Sequence, residues 1–208
     1  MSTTQTPESQ SAITPSQAIE ILKQGNVRFT SGSTTSRDYQ SQVSQTAAGQ
    51  YPFAAVVSCI DSRIPTEIVF DQGIGDIFNA RIAGNFVNED ILGSLEFACK
   101  VAGAKAIVVM GHTSCGAIKG ACDKAELGNL TQLLEKIMPA VDAIHTPEGA
   151  DRSSANAAFV DAVAAKNVEL TLAKIRENSS VLNEMLEANE IEIIGAMYDV
   201  ASGKVSFH

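Results

Sequence analysis

The stretch AIVVMGHTSCGAIKG, residues 106–120, decides the fold. Its first five residues are apolar, with no polar alternation, and read as a short strand buried on both faces. A helix is expected to start at Gly116. The loop between them places His112 three residues before Cys115, in a chain with only three histidines. Packing, nucleophilic catalysis and metal binding all use such a pair, so the rest of the chain has to choose among them.

The same grammar repeats outward from this stretch. FAAVVS, residues 53–58, is a second short apolar run, and CIDSR, residues 59–63, follows it directly. DIFNARI (76–82) and IEIIGAMYDV (191–200) read as further strands, and ASGK turns the last one back into VSF as a terminal hairpin. Helical patterns alternate with them. Thr14 and Pro15 suit the N-cap and first helical position of a helix that carries Ile19, Leu22 and Phe29 and stops near Gly32. Pro65 opens a short helix over 66–72. Residues 88–102 place Ile91, Leu92, Leu95 and Cys99 at helical spacing. The region after residue 126 is helical, split at Pro139. Strands alternating with helices imply right-handed crossovers and a mostly parallel sheet. The expected fold class is α/β: a mostly parallel central sheet flanked by helices, with an N-terminal helical arm over 14–50 and a C-terminal hairpin, all in one domain spanning 1–208.

Composition narrows the function. The net charge is −9 with no cluster of Lys or Arg, which argues against nucleic acid as a partner. No apolar run approaches the roughly 20 residues of a membrane span. The opening MSTTQTPESQSAITPSQ has neither the basic nor the apolar region of a secretory signal. Residues 1–13 are expected to form a mobile polar leader, and the protein to be cytoplasmic. Four cysteines in a chain of this size and setting favour metal or catalytic use over disulfides.

Ligands gather at the carboxyl ends of strands in such sheets, and both CIDSR and GHTSCG lie there. Cys59, His112 and Cys115 together make a catalytic zinc set: three soft ligands, with a fourth position open. Either cysteine alone reads as packing, since free cysteine is commonly buried. Three soft ligands at two strand ends is a coincidence that packing does not require. Cys99 and Cys122 lack that context and are assigned to the core. Asp61 and Arg63 alternate with Cys59, so an extended chain would point all three to one side. Asp61 then either becomes a fourth ligand or pairs with Arg63. Competing readings fail on spacing. Cys59 and Arg63 are too close for a cysteine phosphatase loop, Ala117 stands where a P-loop needs lysine, and Phe78 where a dinucleotide fingerprint needs glycine. There is no C-x-x-C and no G-x-S-x-G.

Taken together, CIDSR, ARIAGN (80–85) and GHTSCGAIKG resemble the signature of the β-class carbonic anhydrases, from about Gln50 to Lys119, with weaker support in IEIIGAMYDVASGKV. The resemblance implies Cys59, His112 and Cys115 as ligands of one Zn2+ per chain. It implies Asp61 and Arg63 as a catalytic dyad, the aspartate either accepting a hydrogen bond from zinc-bound hydroxide or, in a closed form, displacing that water. The implied reaction is reversible hydration of carbon dioxide to bicarbonate and a proton, with the hydroxide as nucleophile. Gln50 matches a bicarbonate-binding glutamine, and Phe78 an aromatic of the substrate pocket. Phe97 stands where one branch has tyrosine, and Ala83 and Gly116 complete the pocket. Val56 replaces a tryptophan of a bicarbonate inhibitory site in another branch, so that site is expected to be absent although Arg81 is in place. The resemblance also implies a homodimer or a dimer of dimers, with the pocket shared across the dimer interface.

Two thiolates cancel the charge of a divalent ion, so this first shell acidifies water less than three neutral histidines would, and activity is expected to rise on the alkaline side of neutral. Two other readings stay open on sequence alone: hydrolysis of carbonyl sulfide or carbon disulfide on the same scaffold, and a non-enzymatic module stabilised by zinc with Asp61 closing the ligand set.

Overall fold

A computed structural model describes residues 4–208. One sheet has the order β2-β1-β3-β4-β5, from β1 (Ala54–Ser58), β2 (Ile77–Arg81), β3 (Ala106–His112), β4 (Glu192–Tyr198) and β5 (Val205–Phe207). The first four strands run parallel, and β5 returns antiparallel to β4. The helices are α1 (Pro7–Ala12), α2 (Pro15–Thr30), α3 (Tyr39–Thr46), α4 (Thr66–Val69), α5 (Glu89–Glu96), α6 (Gly116–Cys122), α7 (Gly128–Glu135), α8 (Met138–Ala143), α9 (Ala157–Asn178) and α10 (Ser180–Glu187). The expected fold class is therefore the one found.

Every residue of β1 and β3 is buried, as expected for central parallel strands covered on both faces. Alternate residues feed two cores. Ala54, Val56, Val108 and Met110 pack with Leu22 of α2, Ile118 of α6 and Ile137. Ala55, Val57, Ile107 and Val109 pack with Leu95 of α5, Ile175 of α9 and Leu182 of α10. At the edge, β2 buries Ile77 but exposes Asn79 and Arg81. Cys99 and Cys122 are buried free thiols in these cores, as assigned. No described helix is long and apolar enough to cross a membrane.

Three local expectations need correction. The leader over residues 1–13 was expected to be mobile, yet residues 7–12 form α1, because Thr6 and Ser9 make a capping box around Pro7. Gln10 is buried there and donates from Nε2 to the Pro52 carbonyl (2.7 Å) and the Ala102 carbonyl (2.8 Å). The leader's first three residues lie outside the described residues. Within the expected helical arm, the polar stretch 31–50 contains α3, capped by Asp38, and its Gln42 is buried and accepts a hydrogen bond from the Ile74 N–H. The short helix after Pro65 ends at Val69, before Asp71 turns to φ +47°. The helix over 88–102 finishes as a π-turn, Phe97–Val101. Pro139 splits its region as expected, falling in the first turn of α8.

Asp71 fastens the N-terminal arm to the sheet domain. Its carboxylate accepts hydrogen bonds from Arg28, Arg37 and the backbone and hydroxyl of Thr35. Burial pushes this carboxyl up, but those donors outweigh burial and leave it below its ordinary value. An acid held lower in the folded than in the unfolded chain stabilises the fold above its unfolded pKa, and that stability is lost as pH falls through the folded value. Asp71→Asn, which leaves the buried Arg37 guanidinium without its counter-charge, should lose roughly 3 kcal/mol at neutral pH. The gap to wild type should narrow in acid, as read by urea unfolding at several pH values.

Gly25 gives a second test. It lies inside α2, where alanine is ordinarily better by about 1 kcal/mol. A Cβ there would meet the Phe70 carbonyl oxygen at 1.8 Å. Gly25→Ala should therefore destabilise by roughly 2 kcal/mol net, since overpacking against backbone outweighs helix propensity; a raised urea midpoint would refute this.

Candidate metal centre

Strands β1 and β3 pair in parallel with Ser58 opposite Met110, so the residues that follow each strand leave the sheet at the same edge. Cys59 comes directly after β1. His112 is the last residue of β3, and Ser114, at φ +55°, turns the chain so that Cys115 caps α6 from inside. The Cys59 and Cys115 sulfurs are 4.0 Å apart. The two sulfurs and a His112 ring nitrogen all lie within 4.8 Å of one another, and all three residues are buried.

His112 has a defined orientation. Nδ1 lies 3.0 Å from the Thr113 carbonyl, which can only accept, so Nδ1 carries the proton. Nε2 is buried with no hydrogen-bond partner, leaving its lone pair unpaired beside the sulfurs. A buried unpaired acceptor is costly, and a metal ion removes that cost. Two sulfurs each about 2.3 Å from a tetrahedral zinc would stand about 3.8 Å apart, close to the spacing here. The donor set and its spacing therefore fit an N/S metal site.

The two thiols differ in their hold on a proton. Cys115 donates to Cys59, and this with the Gly84 N–H draws Cys59 well down toward thiolate. Cys115 is pushed up by the same hydrogen bond and by burial, against the Ile118 and Ala117 amides. The amides at the start of α6 thus pull Cys115 toward thiolate but are outweighed.

Asp61 and Arg63 do not extend alongside Cys59. Residues 61–64 form a turn, with the Ile64 N–H on the Asp61 carbonyl, and Arg63 doubles back. Asp61 Oδ1 accepts from the Arg63 backbone N–H and from Nε, both at 2.9 Å, and Oδ2 accepts from Nη2 at 2.7 Å. This fork holds the carboxyl down at about 2. Oδ2 remains 3.9 Å from His112 Nε2, so the ion pair borders the cluster without joining it.

Three groups outside the expected ligand, dyad and pocket residues frame the site. Arg81 donates from Nε to the Cys59 carbonyl (2.9 Å) and from Nη2 to the Asp61 carbonyl (2.6 Å), clamping the CIDSR loop. The Gly84 N–H donates to the Cys59 sulfur at 3.4 Å. The Tyr198 hydroxyl reaches the Arg63 carbonyl at 3.4 Å. ARIAGN was the available signal for the first two. Its Gly84 has φ +80°, and a Cβ there would lie 2.5 Å from the Ile137 side chain. Val56 is fully buried in the core.

The expected substrate-pocket residues divide. Ala83 and Gly116 adjoin Gly84 and Cys115, beside the cluster. Gln50 is exposed. Phe78 and Phe97 meet edge to face, with ring centroids 6.2 Å apart, in a cleft of about 630 Å³ that also includes Ala55 and Ala98. That cleft belongs to the core on the opposite face of the sheet from Cys59 and Cys115. A single chain therefore does not bring these two rings to the metal cluster.

Comparison with known proteins identifies the family. The family profile described as carbonic anhydrase matches residues 54–205. The chain is 36% identical over 198 residues, 92% of each chain, to the carbonic anhydrase of Mycolicibacterium smegmatis. It is 34% identical over 199 residues, 91% of each chain, to carbonic anhydrase 2 of Mycobacterium tuberculosis. Its fold is similar to the β-carbonic anhydrase CafA of Aspergillus fumigatus, with a TM-score of 0.70 at 24% identity, covering 93% of this chain and 89% of that one. It is also similar to a tetrameric β-carbonic anhydrase of Sordaria macrospora, with a TM-score of 0.68 at 24% identity, covering 81% and 89%. With its cysteine–histidine–cysteine cluster at the strand ends of a parallel sheet, the chain belongs to the β-carbonic anhydrase family.

Proposed function

We propose that Cys59, His112 and Cys115 hold one zinc ion and that the protein hydrates carbon dioxide reversibly to bicarbonate and a proton. The observation that carries this reading is the buried, unpartnered Nε2 of His112, close to two sulfurs and an ion-paired carboxylate. Zinc supplies the Lewis acidity that brings the pKa of water from about 15.7 toward neutrality. The chain's own residues do the rest. Asp61 stays ionised through the working range and accepts a hydrogen bond from the attacking water, turning a lone pair toward the carbon of the substrate. Arg63 occupies both carboxylate oxygens, and so keeps Asp61 from closing the ligand set. That arrangement favours an enzyme over a closed structural zinc module. Arg63 also leaves positive charge where the bicarbonate anion forms. Apart from His112 the chain has only His145 and His208, so the proton is passed to buffer.

Assembly completes the pocket in this reading. Phe97 and Val101 are more than half exposed, and the rings of Phe78 and Phe97 lie across the sheet from their own chain's cluster. A homodimer or dimer of dimers lets a second copy's site use Gln50, Phe78 and Phe97. A cytoplasmic setting belongs to the same reading, because both ligand cysteines must stay reduced.

Zinc assay on purified protein should find about one ion per wild-type chain and almost none in Cys59→Ser, since a catalytic set has no ligand to spare. Asp61→Ala should keep the zinc and the fold but lose about 100-fold or more in carbon dioxide hydration, the scale of a positioned acid–base group. Loss of zinc together with fold in Asp61→Ala would instead assign the site a structural role.

A further inference from the structure

The Gly84 N–H is the one backbone donor placed on a ligand sulfur by the ARIAGN turn, and that turn is strained. Gly84 (φ +80°) and Asn85 (φ +42°) both have left-handed backbone, and the turn is closed by the Asn85 N–H on the Ile82 carbonyl. Such a conformation persists only where its surroundings over-determine it. What holds it is distant in sequence. Asn167 of α9 donates from Nδ2 to the Gly84 carbonyl at 2.7 Å. Asn167 is 3% exposed, on a helix face otherwise made of Phe159, Val160, Val163, Ala164 and Val168 up to that turn. An amide among apolar residues costs stability unless it is bonded, and this one spends its donor on a carbonyl whose own residue faces Cys59.

We propose that Asn167 is a positioning residue of the metal centre: by holding the Gly84 carbonyl it fixes the backbone torsions of Gly84, and so the direction in which the N–H on the other side of its Cα donates to the Cys59 sulfur. The inference rests on the reading that Cys59 is a metal ligand. An N–H aimed at a thiolate stabilises the sulfur's lone pairs, moderates their donation to the metal and fixes the direction from which the sulfur binds. Outer partners of metal ligands commonly act in this way. A purely structural Asn167 would satisfy the Gly84 carbonyl and leave the sulfur's electronic state untouched, and this difference can be measured.

The test uses cobalt- and cadmium-113-substituted holoprotein. Metal content is measured first: wild-type protein that takes up neither metal refutes the metal-site reading itself, separately from the role of Asn167. In cadmium-113 protein, the Gly84 amide proton should show scalar coupling to the metal through the N–H···S contact; no coupling at Gly84 overturns the proposal without any variant having to fold. In cobalt protein, Asn167→Leu should move the sulfur-to-cobalt charge-transfer band to longer wavelength, because an unbonded thiolate is easier to oxidise. The same variant should weaken zinc about 10-fold, the lower end for loss of an outer partner. Thr171→Val, one turn further along the same buried face, should leave band and affinity unchanged. An Asn167→Leu protein with wild-type spectrum and affinity, merely less stable, would assign Asn167 to packing alone.

Discussion

The parallel pairing of β1 with β3 is the constraint on which the site depends. Its register sets Ser58 beside Met110, and thus Cys59 beside the strand end that carries His112. Side chains alternate along a strand, so a slip of one residue would send Val56 and Val108 to the wrong core and Cys59 to the wrong face. Burial enforces the register. Both strands are covered on both sides by apolar residues of differing shape, and no polar position would tolerate the exchange. The site inherits its precision from this packing, not from contacts among its own ligands, which repel or compete for protons until a cation arrives.

Electrostatics explains why the neighbouring ion pair has the form it does. Two sulfurs that can both become thiolates and one carboxylate lie in a small, largely buried volume. Left free, Asp61 would be drawn to any cation held by the cluster. Arg63 prevents this with a planar fork that takes both carboxylate oxygens, a geometry lysine cannot supply. Arg81 provides a second cation but spends it on the carbonyls of Cys59 and Asp61, so it fixes the loop without competing for the carboxylate. Two arginines near one aspartate thus have separate tasks, one for charge and one for backbone.

What could be read from the sequence follows from how local the signal is. The strands were legible because apolar runs such as AIVVM leave few alternatives, and the Cys59–His112–Cys115 cluster because three soft donors stood at strand ends. Thr14–Pro15 and Pro139 announced helix boundaries through backbone chemistry that needs no tertiary partner. The helix at 7–12 was missed because it lacks an apolar stripe; its anchor is one glutamine bonded to carbonyls at positions 52 and 102. Arg63 was misjudged in shape, since alternation assumes an extended chain and the Asp61 side chain captures the Arg63 N–H to make a turn. Phe78 was matched to a motif, and the fold sets it across the sheet from its own chain's cluster.

The residues hardest to foresee share a type. Gln10, Asn26, Gln42 and Asn167 are neutral amides, each buried and each bonded to backbone far along the chain. Asn26 is the fullest case: its Nδ2 donates to the Val69 and Gly203 carbonyls, and its Oδ1 accepts from the Val205 N–H. It thereby joins α2, the end of α4 and the terminal hairpin. An amide suits this task because it both donates and accepts without the desolvation penalty of a charge. Loops that carry left-handed residues or lie outside the sheet ladder leave backbone groups without regular partners, and those groups must be met by something. In a sequence such residues look like surface polarity. In the fold they are cross-ties, and the cross-tie at Asn167 ends on the carbonyl of the residue whose N–H meets the Cys59 sulfur.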